Sequence, residues 1–281
     1  MKKIIFLDTE TTGNEPVKDY LCQLAFKSKD ETFCELFKPP IPIPPETSAI
    51  THITNKMVAG KKAFQESGNY GAIKLMLESP LAVMVAHNAK FDAAIIKKEG
   101  IVPANIICTL RVARALDKDN VIPQYKLQYL RYYMDIDVEA DAHDALGDVL
   151  VLEKLFERLY EKVLKEIKKD PLALTGTPYR SSTPFGQKDV SKGLALGSLT
   201  PSSPPSQEGE EMQVIEKMIE ISGKPSLMNM FSFGKYNGKT IAEVAQIDKG
   251  YLEWMLAQKK QNPDNEEDWI YTLRYYLNKL K

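Results

Sequence analysis

A chain of 281 residues with 43% hydrophobic and 27% charged side chains has the composition of ordinary globular protein and enough length for two domains. Its formal charge of -1 excludes a global basic field, so a nucleic-acid partner would have to be held by local patches or by bound metal. Cys22, Cys34 and Cys108 are odd in number, widely spaced and without a C-x-x-C, which argues against a disulfide framework or a zinc site and fits a reducing cytoplasm. The apolar run after the basic start is too short for a signal peptide, and no stretch reaches membrane-spanning length.

Taken in chain order, residues 4–7 are a short apolar strand. Residues 20–27 and 32–38 form a hairpin turning at Ser28-Lys29-Asp30, and the Pro-rich residues 39–45 are extended. Further strands are expected at 81–86 and 106–109, with helices near 70–78, 89–99, 110–117, 125–134 and 144–168. Antiparallel strands followed by strands alternating with helices predict an α/β mixed sheet flanked by helices. Residues 170–206 are rich in Pro, Ser, Thr and Gly without periodicity, the composition of a flexible linker. From 207 to 281 the chain turns globular again. An amphipathic helix ends at Gly223, residues 227–231 read as a first strand, and Trp254, Tyr251 and Leu252 are candidates for a small core. The expected division is 1–169, 170–206 and 207–281, with the helix ending near 169 closing the first domain so that a chain cut there should fold.

Asp8 and Glu10 follow the first strand at i and i+2, a spacing that points both carboxylates to one face. Either they are solvated turn residues or they hold a cation, and an all-oxygen ligand set favours Mg²⁺ or Mn²⁺. Asn88 is placed to cap the following helix, on which Asp92 shares the apolar face of Ile95 and Ile96. Asp92 is either a metal-linked charge or a first-turn acid favoured by the helix dipole. Asp148 lies on the stripe formed by Leu152, Leu155, Phe156, Leu159 and Val163 of the last long helix. His143 stands at that helix's N-terminal edge, where the dipole favours a neutral imidazole; it is a general-base candidate or a structural histidine. Four carboxylates on three elements suit a two-metal site clamping a phosphoryl centre. In the tail, Lys235, Tyr236 and Lys239 mix cations with an aromatic ring, the pairing used to bind single strands, or they are solvated residues around a small core.

The segments FLDTETTG, AHNAKFD and HDALGD resemble the three motifs of the histidine-type (DEDDh) 3′–5′ exonucleases, and residues from Gly223 through Trp254 resemble the C-terminal region of the exodeoxyribonuclease X branch of that superfamily. The resemblance implies a ribonuclease-H-like fold with a five-stranded mixed sheet, plus a small C-terminal α+β module on a flexible tether. It implies a metal-dependent exonuclease releasing nucleoside 5′-monophosphates from DNA 3′ ends in repair or proofreading, single strands above all, with RNA as the alternative substrate and a non-catalytic binding adaptor as the rival. Two Mg²⁺ or Mn²⁺ ions would be held by Asp8, Glu10 and Asp148, with Asp92 supporting the second through water and His143 taking the proton of the attacking water. Thr9, Thr11, Thr12, Asn88 and Phe91 would touch substrate. Where relatives carry an apolar residue after the first motif, this chain has Asn14, and neither His52 nor His87 is assigned a role in the chemistry.

Overall fold

The computed structural model describes residues 2–139, 144–169, 207–261 and 266–280. Five strands form one sheet in the order β3-β2-β1-β4-β5: β1 Lys3–Thr11, β2 Leu21–Lys27, β3 Thr32–Leu36, β4 Ala82–Ala86 and β5 Ile106–Cys108. β1 is central, antiparallel to β2 and parallel to β4, which is in turn parallel to β5. The mixed sheet expected from sequence is therefore the observed one. β1 runs longer than its apolar core suggested, so Asp8 and Glu10 lie inside the strand rather than beyond it.

Alternation along β1 splits its side chains between two cores. Ile5 and Leu7 face one side, with Leu24, Phe26 and Met84 of the neighbouring strands and with Ile73, Leu77, Ile95 and Ile96. Those last four come from α3 Tyr70–Glu78 and α4 Lys90–Lys98. Phe6 faces the other side, where Val83, Val85 and Ile107 meet Val149, Leu152, Leu155 and Leu159 of α7 Ala145–Lys169. α5 Thr109–Leu116 and α6 Leu127–Tyr133 complete that layer. The Pro-rich stretch is non-helical through Pro44, as expected, and two short helices that hydrophobic periodicity did not signal follow it, α1 Pro45–Thr51 and α2 Asn55–Val58. Pro45 sits at the start of α1, where its fixed φ suits the first helical turn.

The tether at 170–206 lies outside the described residues. The amphipathic helix after it is α8 Gln207–Ser222, and its Val214, Ile215 and Met218 join the same core as α7. Its end is fastened as well: Ser222 Oγ accepts from the Cys108 N–H at 2.8 Å, and Arg111 donates to the Ser222 carbonyl at 2.8 Å. Beyond it, α9 Ile241–Ile247, α10 Lys249–Lys259 and α11 Glu267–Lys279 enclose a separate core of Phe231, Val244, Leu252, Trp269 and Leu273. Thr240 and Glu243 form a reciprocal capping box that starts α9. Residues 227–231 are not a strand; the pairing there is one isolated bridge, Met230 to Thr240. Trp269, not Trp254, fills the core: Trp254 is 56% exposed and Trp269 only 7%. The indole on the three-helix interface is the one that can be covered on every side.

Candidate active site

Asp8 and Glu10 project from β1 on the Phe6 side of the sheet, towards α7. The first turn of α7 brings Asp148 to meet them, because Asp148 lies four residues before the buried Leu152 on the helix's inward face. One carboxylate oxygen from each of Asp8, Glu10 and Asp148 lies within 4.8 Å of the others. Asp92, in the first turn of α4, is 3% exposed and accepts a 2.8 Å hydrogen bond from Thr9 Oγ1. It stands outside the three-oxygen group but acts on it through space.

The electrostatics are those of a site short of positive charge. Burial first, then the charges of Asp92, Glu10, Asp148 and Asp144, push Asp8 well above the usual carboxylate range. Burial, then Asp148, Asp92 and Asp144, raise Glu10 to about 8. Asp92 is raised by burial, against the hydrogen bonds that favour its charge. Like charges gathered out of water either hold protons or hold a cation. An all-carboxylate set at this spacing fits a hard divalent ion of the Mg²⁺ or Mn²⁺ kind.

The surrounding residues fall into two groups. Thr9, Thr11 and Thr12 are buried and spend their hydroxyls internally: Thr9 on Asp92, Thr11 on the Gly13 carbonyl and Thr12 on Asp19 Oδ1. Asn88, exposed, and Phe91, half-buried, line an open cleft that also contains Asp148. Asn88 does not cap α4 with its side chain. It takes a left-handed backbone, φ 64°, and its carbonyl accepts the Phe91 N–H. His143 lies outside the described residues, although its neighbour Asp144 accepts from the Gly147 N–H at the start of α7. His87 is structural: Nδ1 lies 2.9 Å from Thr109 Oγ1 and Nε2 lies 2.7 Å from the Tyr125 carbonyl. Loss of hydration around its ring pushes it down to about 4.

Gln128 was legible only as part of a helix. From α6 its side-chain N–H donates to Asp148 Oδ1, fixing one of the three carboxylates; a polar residue next to the apolar face of a short helix was the available signal. The tail candidates are placed away from the carboxylates. Lys235 pairs with Asp248 at 3.1 Å, Tyr236 donates to the same carboxylate at 2.6 Å, and Lys239 is exposed beside them. None of the three lines the cleft.

Comparison with known proteins gives a consistent result. Residues 5–156 match the exonuclease family model, and residues 231–260 match the exodeoxyribonuclease X-like C-terminal model. Exodeoxyribonuclease 10 of Escherichia coli (strain K12) is 27% identical over 248 residues, covering 86% of this chain and 83% of that protein. The DNA polymerase III subunit epsilon of Treponema pallidum (strain Nichols) is 31% identical over 160 residues, covering 53% of this chain and 72% of that protein. Among solved structures, exonuclease X in complex with 5′ overhanging duplex DNA is 26% identical, with a TM-score of 0.47, over 56% of this chain and 91% of that one.

Proposed function

Since the chain belongs to the exonuclease family, whose model spans residues 5–156, we propose that it is a metal-dependent 3′–5′ exodeoxyribonuclease that releases nucleoside 5′-monophosphates from DNA ends, single strands above all, in repair or proofreading. The observation that carries the reading is the meeting of Asp8, Glu10 and Asp148 within 4.8 Å in that domain. The choice of DNA is supported by the exodeoxyribonuclease relative that spans 86% of the chain. The free thiols Cys22, Cys34 and Cys108 support a cytoplasmic site of action. Among the described residues no helix is long and apolar enough to cross a membrane.

Asp8, Glu10 and Asp148 would hold two Mg²⁺ or Mn²⁺ ions, which when bound polarise the phosphoryl oxygens and offset charge developing on the attacking and leaving oxygens. Glu10 must shed the proton that crowding leaves on it, and Gln128 keeps Asp148 aimed at the same point. Asp92, anchored by Thr9, would support the metal through water. His143 takes a proton from the attacking water. Asn88 and Phe91 border the terminal nucleotide, Phe91 offering a ring face to the base.

The test is incubation of the purified chain with end-labelled DNA and RNA oligonucleotides in Mg²⁺ or in EDTA. Stepwise release of mononucleotides from the 3′ end of DNA, abolished by EDTA, is the expected result. Cleavage of RNA alone, endonucleolytic products, or activity undiminished by EDTA would each overturn the reading.

A further inference from the structure

The cleft that contains Asp148 does not stop at the edge of the catalytic domain. Its volume is about 1640 Å³, beyond the roughly 300–1,000 Å³ of a small-molecule site. One wall carries Asn14, Asn88 and Tyr129 from the catalytic domain; the facing wall carries Ser232, Asn237 and Gly238 from the C-terminal module. The module is held in register by ion pairs. Arg111 reaches Asp268 at 2.7 Å and Glu267 at 3.0 Å, Arg114 reaches Asp268 at 3.4 Å, and Lys90 pairs with Glu267.

Those pairs also settle the charge of the walls. Glu267 and Asp268 line the cleft, and each is matched by a cation. So are Glu15, by Lys18 at 2.7 Å, and Glu266, by Lys259 at 2.6 Å. A polyanion entering the cleft therefore meets paired acids, amide and hydroxyl groups able to donate to phosphate, the exposed Lys126, and the aromatic faces of Phe91 and Tyr129.

We propose that the C-terminal module is the fixed far wall of a channel for the DNA single strand whose 3′ end occupies the carboxylate site, with Ser232 and Asn237 lying along the strand's phosphates. This rests on the exodeoxyribonuclease reading of the site and adds where the rest of the substrate runs. The strand threads between two walls held together by Arg111 and Arg114.

The experiment uses the full chain carrying Ser232→Asp and Asn237→Asp, singly and together. Both positions are exposed, so the fold tolerates the change. A single-stranded DNA of about a dozen nucleotides spans both walls; the p-nitrophenyl ester of thymidine 5′-monophosphate is a phosphodiester too small to reach the module. Gln246→Asp, on the exposed side of α9 and outside the cleft, controls for added charge. The expected result is a loss of roughly tenfold in kcat/KM on the oligonucleotide for the double variant at low salt, carried by KM and shrinking as salt rises. Ester hydrolysis is unchanged in every variant, Gln246→Asp behaves as wild type, and Ser232→Lys with Asn237→Lys lowers KM. Unchanged oligonucleotide kinetics, an equal loss with Gln246→Asp, or a loss confined to an RNA strand of the same sequence overturns the channel. Wild-type failure on both the ester and the strand overturns the reading of the site along with it.

Discussion

Asp8, Glu10 and Asp148 on one side, and Arg111, Arg114, Glu267 and Asp268 on the other, are two clusters of sequestered charge bordering one cleft. In the first, the charges acting on Asp8 and Glu10 are all carboxylates, and their proton affinities are driven up. In the second, Arg111, with a side chain only 5% exposed, is matched by two acids and by the Ser222 carbonyl. The second cluster is complete within the chain and fastens two parts of it together. The first is complete only with cations from outside. A cluster of one sign is an address for a ligand; a cluster of both signs is a clasp.

The largest effect should come from removing α8, whose Ser222 carbonyl Arg111 also holds. Burying Val214, Ile215 and Met218 of α8 contributes on the order of 5 kcal/mol, at roughly 1.5–3 kcal/mol per apolar side chain, comparable to a domain's whole stability. A chain ending at residue 169 should therefore be insoluble or unfolded by circular dichroism, contrary to the expectation from sequence, whereas one ending at residue 223 should fold. A stable, cooperative unfolding transition in the shorter chain would show that α8 is dispensable.

Asp8→Ala tests the other cluster and should have the opposite sign on stability. Hydrolysis should drop by at least about 10³-fold, while Tm in metal-free buffer should equal or exceed that of the wild type because crowding is relieved. Near-native turnover in Mg²⁺ would end the metal reading. His143→Ala should cost roughly 10²–10⁴ in rate, the usual worth of a general base. Substrate affinity should change little, and the ionisation on the acid limb of the pH–rate profile should disappear; an unaltered profile returns His143 to a structural role.

Arg111→Met should destabilise by about 2–3 kcal/mol in urea titration. That is less than for a fully buried pair, because Glu267 and Asp268 retain 38% and 21% exposure. Adding Glu267→Gln and Asp268→Asn should recover part of the loss, whereas no such recovery applies at Asp8, which has no cationic partner among the described residues.

The smallest effect is a pH signature. Glu10 has a folded value of about 8 against an ordinary 4.5, so the folded state holds the extra proton, and its stabilisation is lost as pH rises towards 8. His87 has a folded value of about 4 against 6.5, so the unfolded state takes the proton and stability is lost as pH falls below 6.5. Between pH 6.5 and 8 the histidine no longer contributes, and the raised carboxylates Glu10, Asp8 and Asp92 all act in the first direction. Metal-free Tm should decline by a few degrees across that interval, and Mg²⁺ should raise Tm more at pH 8 than at pH 6.5. Calorimetry showing an equal Mg²⁺ increment at both would mean that this carboxylate cluster is not where the metal binds.

Much of this was legible in the sequence, for identifiable reasons. β1, β2, β4, β5 and α7 announce themselves because each has one face or both buried, and burial writes a period into the chain; β3, with no buried residue, is marked instead by the hairpin turn before it. The spacing of Asp8 and Glu10, and the position of Asp148 on an apolar stripe, are readable by the same periods. α1 and α2 escaped because each is two turns or fewer, too short to show a helical period. The stripe on α8 revealed that it packs, but not against which domain; only tertiary contact decides that. Gln128 and the clasp were hidden because a polar side chain's partner lies far off in sequence: Arg111 and Asp268 are separated by 157 residues.

Ser222 has one more consequence. β5 is the outermost strand on its side of the sheet, and an outermost strand presents N–H and C=O groups that a foreign chain can pair with. Here the Cys108 N–H is taken by Ser222 Oγ, and α8 lies alongside. The polypeptide thus supplies its own shield against edge-to-edge aggregation, from a segment more than a hundred residues downstream. Anything that peels α8 away, truncation by design included, opens that border of the sheet at the same time as it strips the core.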